Sequence, residues 1–242
     1  MSSVRKLEEI LQNPKCLPAR DWQLRVIQSD ECLSYVAWNE SSREALVIDP
    51  KREDKDAYLA LAKELNGFRW LGVIDTHTHA DHISYAADLA LTLQAPLIMH
   101  ERAPSRRIDI RVSRDTTLSS AASPIQLILT PGHTHDSLTA LWGPYVFSGD
   151  TILFGDVGRD DLPTGSPEAH FESLERLKAR IQSGQILLAG HDHKGGRASD
   201  WATQLQINES LKQERQLFVA ESGAFTTNPP KLFKESLFEN FK

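Results

Sequence analysis

Trp70-Leu71-Gly72-Val73-Ile74-Asp75-Thr76-His77-Thr78-His79-Ala80-Asp81-His82 is the stretch on which the reading of this chain turns. Trp70–Ile74 is an apolar, β-rich run. It ends on three imidazoles and a carboxylate, His77, His79, Asp81 and His82, packed into residues 77–82. A strand that stops on ligand-type side chains delivers them to a strand end, where α/β sheets collect their sites. If the backbone stays extended, side chains alternate, so His77 and His79 share a side. Asp81 and His82 then follow a turn and face a neighbouring position. Imidazole and carboxylate suit Zn, Fe or Mn, and a site without thiolates is not a structural zinc finger.

Outward from this stretch, the pairing of strand and ligand repeats. Thr130-Pro131-Gly132-His133 follows an expected strand at Gln126–Leu129. Ser148-Gly149-Asp150 follows Tyr145–Phe147, and Gly190-His191 follows Gln185–Leu188. Further strands are expected at Gln23–Ile27, Leu33–Trp38, Ala45–Ile48, Leu97–Met99 and Leu138–Trp142. Tyr58, Leu59, Leu61, Ala62 and Leu65 recur at helical spacing and predict a helix over 55–66, closed by Asn66-Gly67. Other helices are expected over 83–94, 167–182 and 199–213, the second opened by Ser166-Pro167 as N-cap and first helical residue. Residues 101–124 show no clear pattern. Two similar halves of alternating strands and helices imply sheets packed on each other with helices outside. The chain, 1–242, reads as one domain. Residues 1–20 form an arm with a helical pattern (Leu7, Ile10, Leu11) closed by Pro14 and Pro18, and residues 215–242 an irregular tail.

The balance of charge narrows the partners. There are 27 basic and 33 acidic residues, for a net charge of −6. Such a chain lacks the basic stripe that a phosphate backbone requires, so nucleic acid is not expected. No apolar run approaches membrane-span length, and residues 1–12 carry charges where a secretory signal is apolar. A cytoplasmic protein is expected, with no membrane partner. Cys16 and Cys32 make neither a disulfide framework nor a metal spacing. They are expected to be reduced thiols, leaving any metal to histidines and carboxylates. Trp22, Trp38, Trp70 and Trp142 lie on strands and are assigned to core. His100 and His170 are read as structural or surface residues, and Asp136 either as a support behind the metal ligands or, in preference, as the cap of an Asx turn.

The series from His77 to His82, then Pro131-Gly132-His133, Gly149-Asp150 and Gly190-His191, resembles the motif series of the metallo-β-lactamase superfamily. The resemblance implies an α/β fold, an αβ/βα four-layer sandwich of two mixed sheets face to face with helices outside, and a metal at one edge. Two local stretches resemble the glutathione persulfide dioxygenases within it. One is Asp150 to Asp161, where those enzymes carry Gly-Arg-Thr-Asp. The other is His191-Asp192-His193-Lys194-Gly195, where they carry His-Asp-Tyr-Lys-Gly. That likeness implies one Fe(II) per chain on His77, His133 and Asp150, with O2 and a glutathione-like persulfide as substrates. The glyoxalase II hydrolases are the next closest resemblance. They imply a dinuclear Zn(II), Fe or mixed centre: His77, His79 and His133 on one metal, Asp81, His82 and His191 on the other, and Asp150 bridging. Asp81 is a catalytic candidate in either case. Arg159 is the candidate anchor for a substrate carboxylate. His193 stands where both families usually carry Tyr and is a candidate substrate contact; Lys194 beside it is read as an exposed lysine. A homodimer is the assembly considered.

Overall fold

The computed structural model describes residues 3–161, 163–193, 195, 198–222 and 233–241. Among these, the first sheet runs, in spatial order, β1 (Ser3–Lys6), β2 (Trp22–Ser29), β3 (Cys32–Asn39), β4 (Glu44–Ile48), β5 (Arg69–Ile74), β6 (Leu97–His100) and β7 (Ile110–Val112). Neighbours from β1 to β4 are antiparallel, and those from β4 to β7 parallel. The second sheet contains β8 (Thr116–Leu118), β9 (Ile125–Leu129), β10 (Leu138–Trp142), β11 (Tyr145–Gly149) and β12 (Ile186–Ala189), in the order β12-β11-β10-β9-β8. Its pairs are antiparallel except β11 with β12. Parallel neighbours need a crossover, and helices supply it for three of the four parallel pairs, β6 and β7 being joined by a loop. α1 (Lys55–Glu64) joins β4 to β5, α2 (Ala86–Leu93) joins β5 to β6, and α3 (Pro167–Lys178) joins β11 to β12. α4 (Trp201–Ile207), α5 (Arg215–Ser222) and α6 (Phe233–Asn240) follow.

Alternation along the strands sorts side chains into layers. On β11, Tyr145 and Phe147 enter the core between the sheets, while Val146 faces the outer helices. On β4, Leu46 and Ile48 face inward, while Ala45 and Val47 face outward. Tyr58, Leu61 and Leu89 of α1 and α2 cover the first sheet. Leu174, Leu177, Trp201 and Phe218 of α3, α4 and α5 cover the second. The layers therefore run helix, sheet, sheet, helix, as the motif series implies. Trp142 and Trp38 are buried, whereas Trp22 and Trp70 are partly buried at the margins of the core.

The helix expected over 199–213 is broken at Asn208, whose extended backbone separates α4 from a 3-10 turn over Glu209–Lys212, and three further segments depart from expectation. The arm is not helical: β1 pairs with β2, and a 3-10 turn covers Leu7–Glu9. Its helical-looking residues Leu7, Ile10 and Leu11 instead plug the core between the sheets. A segment cut short by Pro14 cannot recover the cost of helix nucleation, whereas pairing with β2 satisfies its backbone at once. The tail expected to be irregular carries α5 and α6; Phe218 of α5 packs edge-on against His170 and close to Phe171. Residues 101–124 contain β7 and β8, held by long-range polar ties. Glu44, buried on β4, accepts from Ser120 Oγ (2.7 Å), Ala121 N (3.1 Å), Ala122 N (3.0 Å) and Arg69. Burial opposes its charge, but these donors outweigh burial and draw its pKa down to about 2. Among the described residues no helix is long and apolar enough to cross a membrane.

Candidate metal centre

Strand ends converge on one edge of the sandwich. Asp49 follows β4, Asp75 to His82 follow β5, and His133 and Asp136 lie between β9 and β10. Asp150 follows β11, His191 follows β12, and Cys32 begins β3. The structure brings every predicted metal candidate here, but it divides them. Ligand atoms of His77, His133 and Asp150, all buried, lie within 4.8 Å of one another. His133 Nε2 is 3.5 Å and His77 Nε2 4.0 Å from Asp150 Oδ2.

Each of these imidazoles is held by its other nitrogen, which fixes the tautomer. His133 Nδ1–H donates to the Arg159 carbonyl (2.6 Å). The Thr76 hydroxyl donates to Asp49 Oδ2 (2.8 Å), so its oxygen is left to accept from His77 Nδ1–H (3.0 Å). Nε2 of both rings keeps its lone pair towards Asp150. Gly149, in the left-handed region at φ 51°, makes this possible: a Cβ there would lie 2.3 Å from Thr76 Oγ1. Burial, reinforced by His79 and His133, pushes His77 well below the usual imidazole range, and burial also lowers His133. Burial resists ionisation of Asp150, but His191, His133 and His77 hold it well below the usual carboxylate range. Two neutral imidazoles and one carboxylate are the protonation states a divalent cation requires.

His79 and His77 have adjacent rings, with centroids 4.2 Å apart, but His79 groups with the carboxylates of Asp49 and Asp75. His79 Nε2 points to Asp49 Oδ1 (3.2 Å) and Asp75 Oδ1 (3.9 Å). The segment bends after β5 rather than staying extended, so alternation does not hold there. Burial disfavours charge on His79, but Asp49 and Asp75 overcome it and its pKa is pushed up to about 10. Burial likewise raises Asp75 to about 6. Asp81 Oδ2 gathers His82 Nδ1 (3.0 Å), His191 Nε2 (3.0 Å) and the Cys32 thiol (3.1 Å). His191 Nδ1 meets Asp150 Oδ1 at 2.7 Å. Burial opposes a charge on His191, yet Asp150 and Asp81 raise its pKa well above the usual range. A cation would replace that proton. Its fit is also visible in His79 Nδ1 and His82 Nε2, both buried with no hydrogen-bond partner in the protein. Such a group left unpaired costs about 1–3 kcal/mol, which coordination offsets.

On the substrate side, Arg159 gives its backbone to His133 and its guanidinium to Asp161, in a two-pronged pair at 2.7 and 2.8 Å. His193 is half exposed, stacks on His191 with ring centroids 4.9 Å apart, and meets Glu31 Oε2 at 2.8 Å. Lys194 lies outside the described residues. His170 is fully buried and structural, bonded to Asp160 and to the Thr151 carbonyl. Asp136 caps no local turn: it accepts from Thr78 N (3.0 Å) and Thr78 Oγ1, tying two loops of the centre together.

Three contributors escaped the sequence reading. Asp49 obeys the same strand-end rule as the others and could have been found by it. Asn240 of α6 donates to the carbonyls of His79 (2.9 Å) and His82 (3.0 Å) and accepts from Ser84 N (2.9 Å), a tie no local signal announces. The sequence sets Cys32 apart from the metal, and the structure corrects this: its sulfur touches two of the predicted ligands, Asp81 and His191. Both cysteines are free thiols, as expected.

Comparison with known proteins agrees with the geometry. The chain is 26% identical over 200 residues to the mitochondrial persulfide dioxygenase ETHE1 of Homo sapiens, covering 82% of this chain and 78% of that one. It is 28% identical over 201 residues to a hydroxyacylglutathione hydrolase of Xanthomonas campestris, covering 81% and 75%. The crystal structure of ETHE1 from Myxococcus xanthus superposes with a TM-score of 0.82 at 28% identity, over 90% of this chain and 97% of that one. The profile of the metallo-beta-lactamase superfamily matches residues 29–215. With its sandwich, its strand-end histidines and that match, the chain belongs to the metallo-beta-lactamase superfamily.

Proposed function

We propose that the chain is a persulfide dioxygenase that uses one Fe(II) to convert a glutathione-like persulfide, O2 and water to the free thiol and sulfite. The observation that carries this reading is the separation of the cluster. His77, His133 and Asp150 form a compact two-histidine, one-carboxylate set, while His79 is turned to Asp49 and Asp75. Such a set would leave coordination positions open for two substrates, and Fe(II) held there would relay to O2 the four electrons that the outer persulfide sulfur gives up as it becomes sulfite. Redox-inert zinc does not.

The chain's own residues do the remaining work. Thr76 and the Arg159 carbonyl orient the two imidazoles. Asp150 brings negative charge, and His191 Nδ1 is held against its other carboxylate oxygen at 2.7 Å. Arg159 binds a substrate carboxylate by sharing or exchanging Asp161, and His193 flanks the entrance in place of a tyrosine hydroxyl. The two unpaired cysteines fit a reducing compartment such as the cytoplasm.

One observation favours a second reading. The unpartnered His79 Nδ1 and His82 Nε2 suit a dinuclear hydrolase of an acylglutathione, the activity that the Xanthomonas relative's name carries. The His79→Ala variant separates the two. In the dioxygenase it keeps one iron per chain and consumes O2; in the hydrolase it loses a ligand and with it the metal pair.

A further inference from the structure

Within Gly158-Arg159-Asp160-Asp161, only Asp160 departs from the Gly-Arg-Thr-Asp of the persulfide dioxygenases, and the structure gives that carboxylate a partner. We propose that Asp160 and His170 are positioning residues: as a buried pair they hold Arg159 in place, keeping its carbonyl on His133 and its guanidinium beside the site. The hold on His133 concerns any metal bound by the His77–His133–Asp150 set. The hold on the guanidinium rests on the reading of Arg159 as the substrate anchor.

Arg159 needs such support. Residues 159–161 belong to no helix or strand, so no backbone ladder fixes them. Arg159 is pinned through its neighbours instead. On one side Gly158 N donates to the Asp150 carbonyl (3.0 Å). On the other, Asp160 Oδ2 meets His170 Nδ1 at 3.0 Å, with neither side chain more than 1% exposed. Between these two pins the Arg159 carbonyl accepts from His133 Nδ1–H at 2.6 Å.

His170 is a fixed point for that loop. Its Nε2–H donates to the carbonyl of Thr151 (2.8 Å), the residue after Asp150. It lies on α3, which is tied to the turn before His133 by Ser166 N to the Gly132 carbonyl (2.8 Å) and by Ser173 Oγ to the Pro131 carbonyl (2.7 Å). Gly132 comes so close that a Cβ on it would stand 2.3 Å from His170 Cα. Phe218 meets the ring edge-on, with centroids 5.6 Å apart. One residue thus touches the segments that carry Asp150, His133 and Arg159.

Stability alone does not account for the pair. The Nε2 hydrogen goes to Thr151, so the contact with Asp160 needs a second proton shared between carboxylate and ring. Asp160 Oδ1 is meanwhile buried with no partner in the protein, which is costly. Apolar groups of similar volume are often at least as stable as such a buried pair. What they lack is direction. A hydrogen bond sets one distance and one orientation for residue 160, and hence for the carbonyl of residue 159.

Three variants, each checked for folding by circular dichroism, are compared with wild type as metal-free protein. Asp160→Ala removes the bond, with Asp160→Thr in its place if the alanine variant misfolds. Asp160→Asn keeps it, the amide donating to Nδ1 of a neutral ring. Leu177→Ala loosens the same helix within the apolar layer on the second sheet. Fe(II) affinity is read anaerobically against a chelator, and the His133 Nδ1–H by its proton resonance, assigned by its absence from His133→Ala. Asp160→Ala should lose that resonance to exchange and bind Fe(II) about tenfold more weakly, the lower end of what losing an outer support costs a metal site. Asp160→Asn and Leu177→Ala should keep both near wild type. In iron-loaded protein Asp160→Ala should raise KM for glutathione persulfide by a larger factor than it lowers kcat; an unchanged KM overturns the hold on the guanidinium. Unchanged affinity and resonance in Asp160→Ala, or losses in Asp160→Asn or Leu177→Ala as large as in Asp160→Ala, overturn the hold on His133. The metal-free measurements need no turnover, so an absence of O2 consumption in wild type would sink the dioxygenase reading and leave the hold on His133 decided.

Discussion

Thr76→Val removes one oxygen from the support behind His77. Thr76 is 1% exposed, and its hydroxyl joins Asp49 Oδ2 (2.8 Å) to His77 Nδ1 (3.0 Å). Valine keeps the β-branched shape but neither donates nor accepts. The bond to the ionised Asp49 is worth about 1.5–3 kcal/mol and the one from His77 about 0.5–1.5 kcal/mol. The variant should therefore unfold in urea with a stability lower by roughly 2–4.5 kcal/mol. The larger consequence is for His77, whose Nδ1–H no longer has an acceptor, so the tautomer with Nε2 free is no longer enforced. Losing such a support costs a metal site about 10- to 100-fold in affinity. Competition with a chelator of known affinity measures this. Thr76→Ser keeps the hydroxyl and should retain affinity. If Thr76→Val binds metal within about twofold of wild type, the relay from Asp49 to His77 is not what orients that ring.

Glu44→Gln should cost about 2 kcal/mol at neutral pH, discounted because the Arg69 partner is 65% exposed. Because its folded pKa is depressed from 4.5 to about 2, the Glu44 contribution is present above about pH 4.5 and fades as pH falls towards 2. Stability curves of wild type and variant should converge over that window; a constant gap would contradict the assignment. Asn240→Ala removes three ties to the backbone of residues 79–84 and should lower stability by about 1–3 kcal/mol while speeding amide exchange in that loop. Arg159→Ala should raise KM for glutathione persulfide about tenfold, the equivalent of ~1.4 kcal/mol, with a smaller effect on kcat. A persulfide without the glutathione carboxylates should show equal KM for both proteins; an equal rise for it would refute the anchoring role.

Much of the fold was legible because local chemistry and tertiary structure agree. Ser166 caps α3 through Ala169 N with Pro167 at its first position, as its sequence implies. The apolar runs became strands within one or two residues, since both faces of most of them are buried and apolar side chains are demanded throughout. The ligands were legible because each follows such a strand. What stayed hidden depends on contacts between distant segments. Cys32 is 49 residues from Asp81 and 159 from His191, and only the bridge between β3 and the end of β12 brings it in. Residues 101–124 gave no pattern because side chains from elsewhere, Glu44 above all, supply the hydrogen bonds that hold part of that stretch. The opening cluster resisted in a different way. Its spacing named the four ligand candidates but not their partners, and the bend after β5 sends His77 towards Asp150 and His79 towards Asp49 and Asp75.

Glutathione persulfide supplied to protein purified without oxygen and loaded with iron, with O2, sulfite and bound metal recorded together, separates the two reactions. A persulfide dioxygenase holds about one iron per chain and consumes O2 in equal amount to the sulfite formed, in wild type and in His79→Ala. Two metals per chain with no O2 uptake, and oxygen-independent thiol release from an acylglutathione, would contradict the dioxygenase assignment.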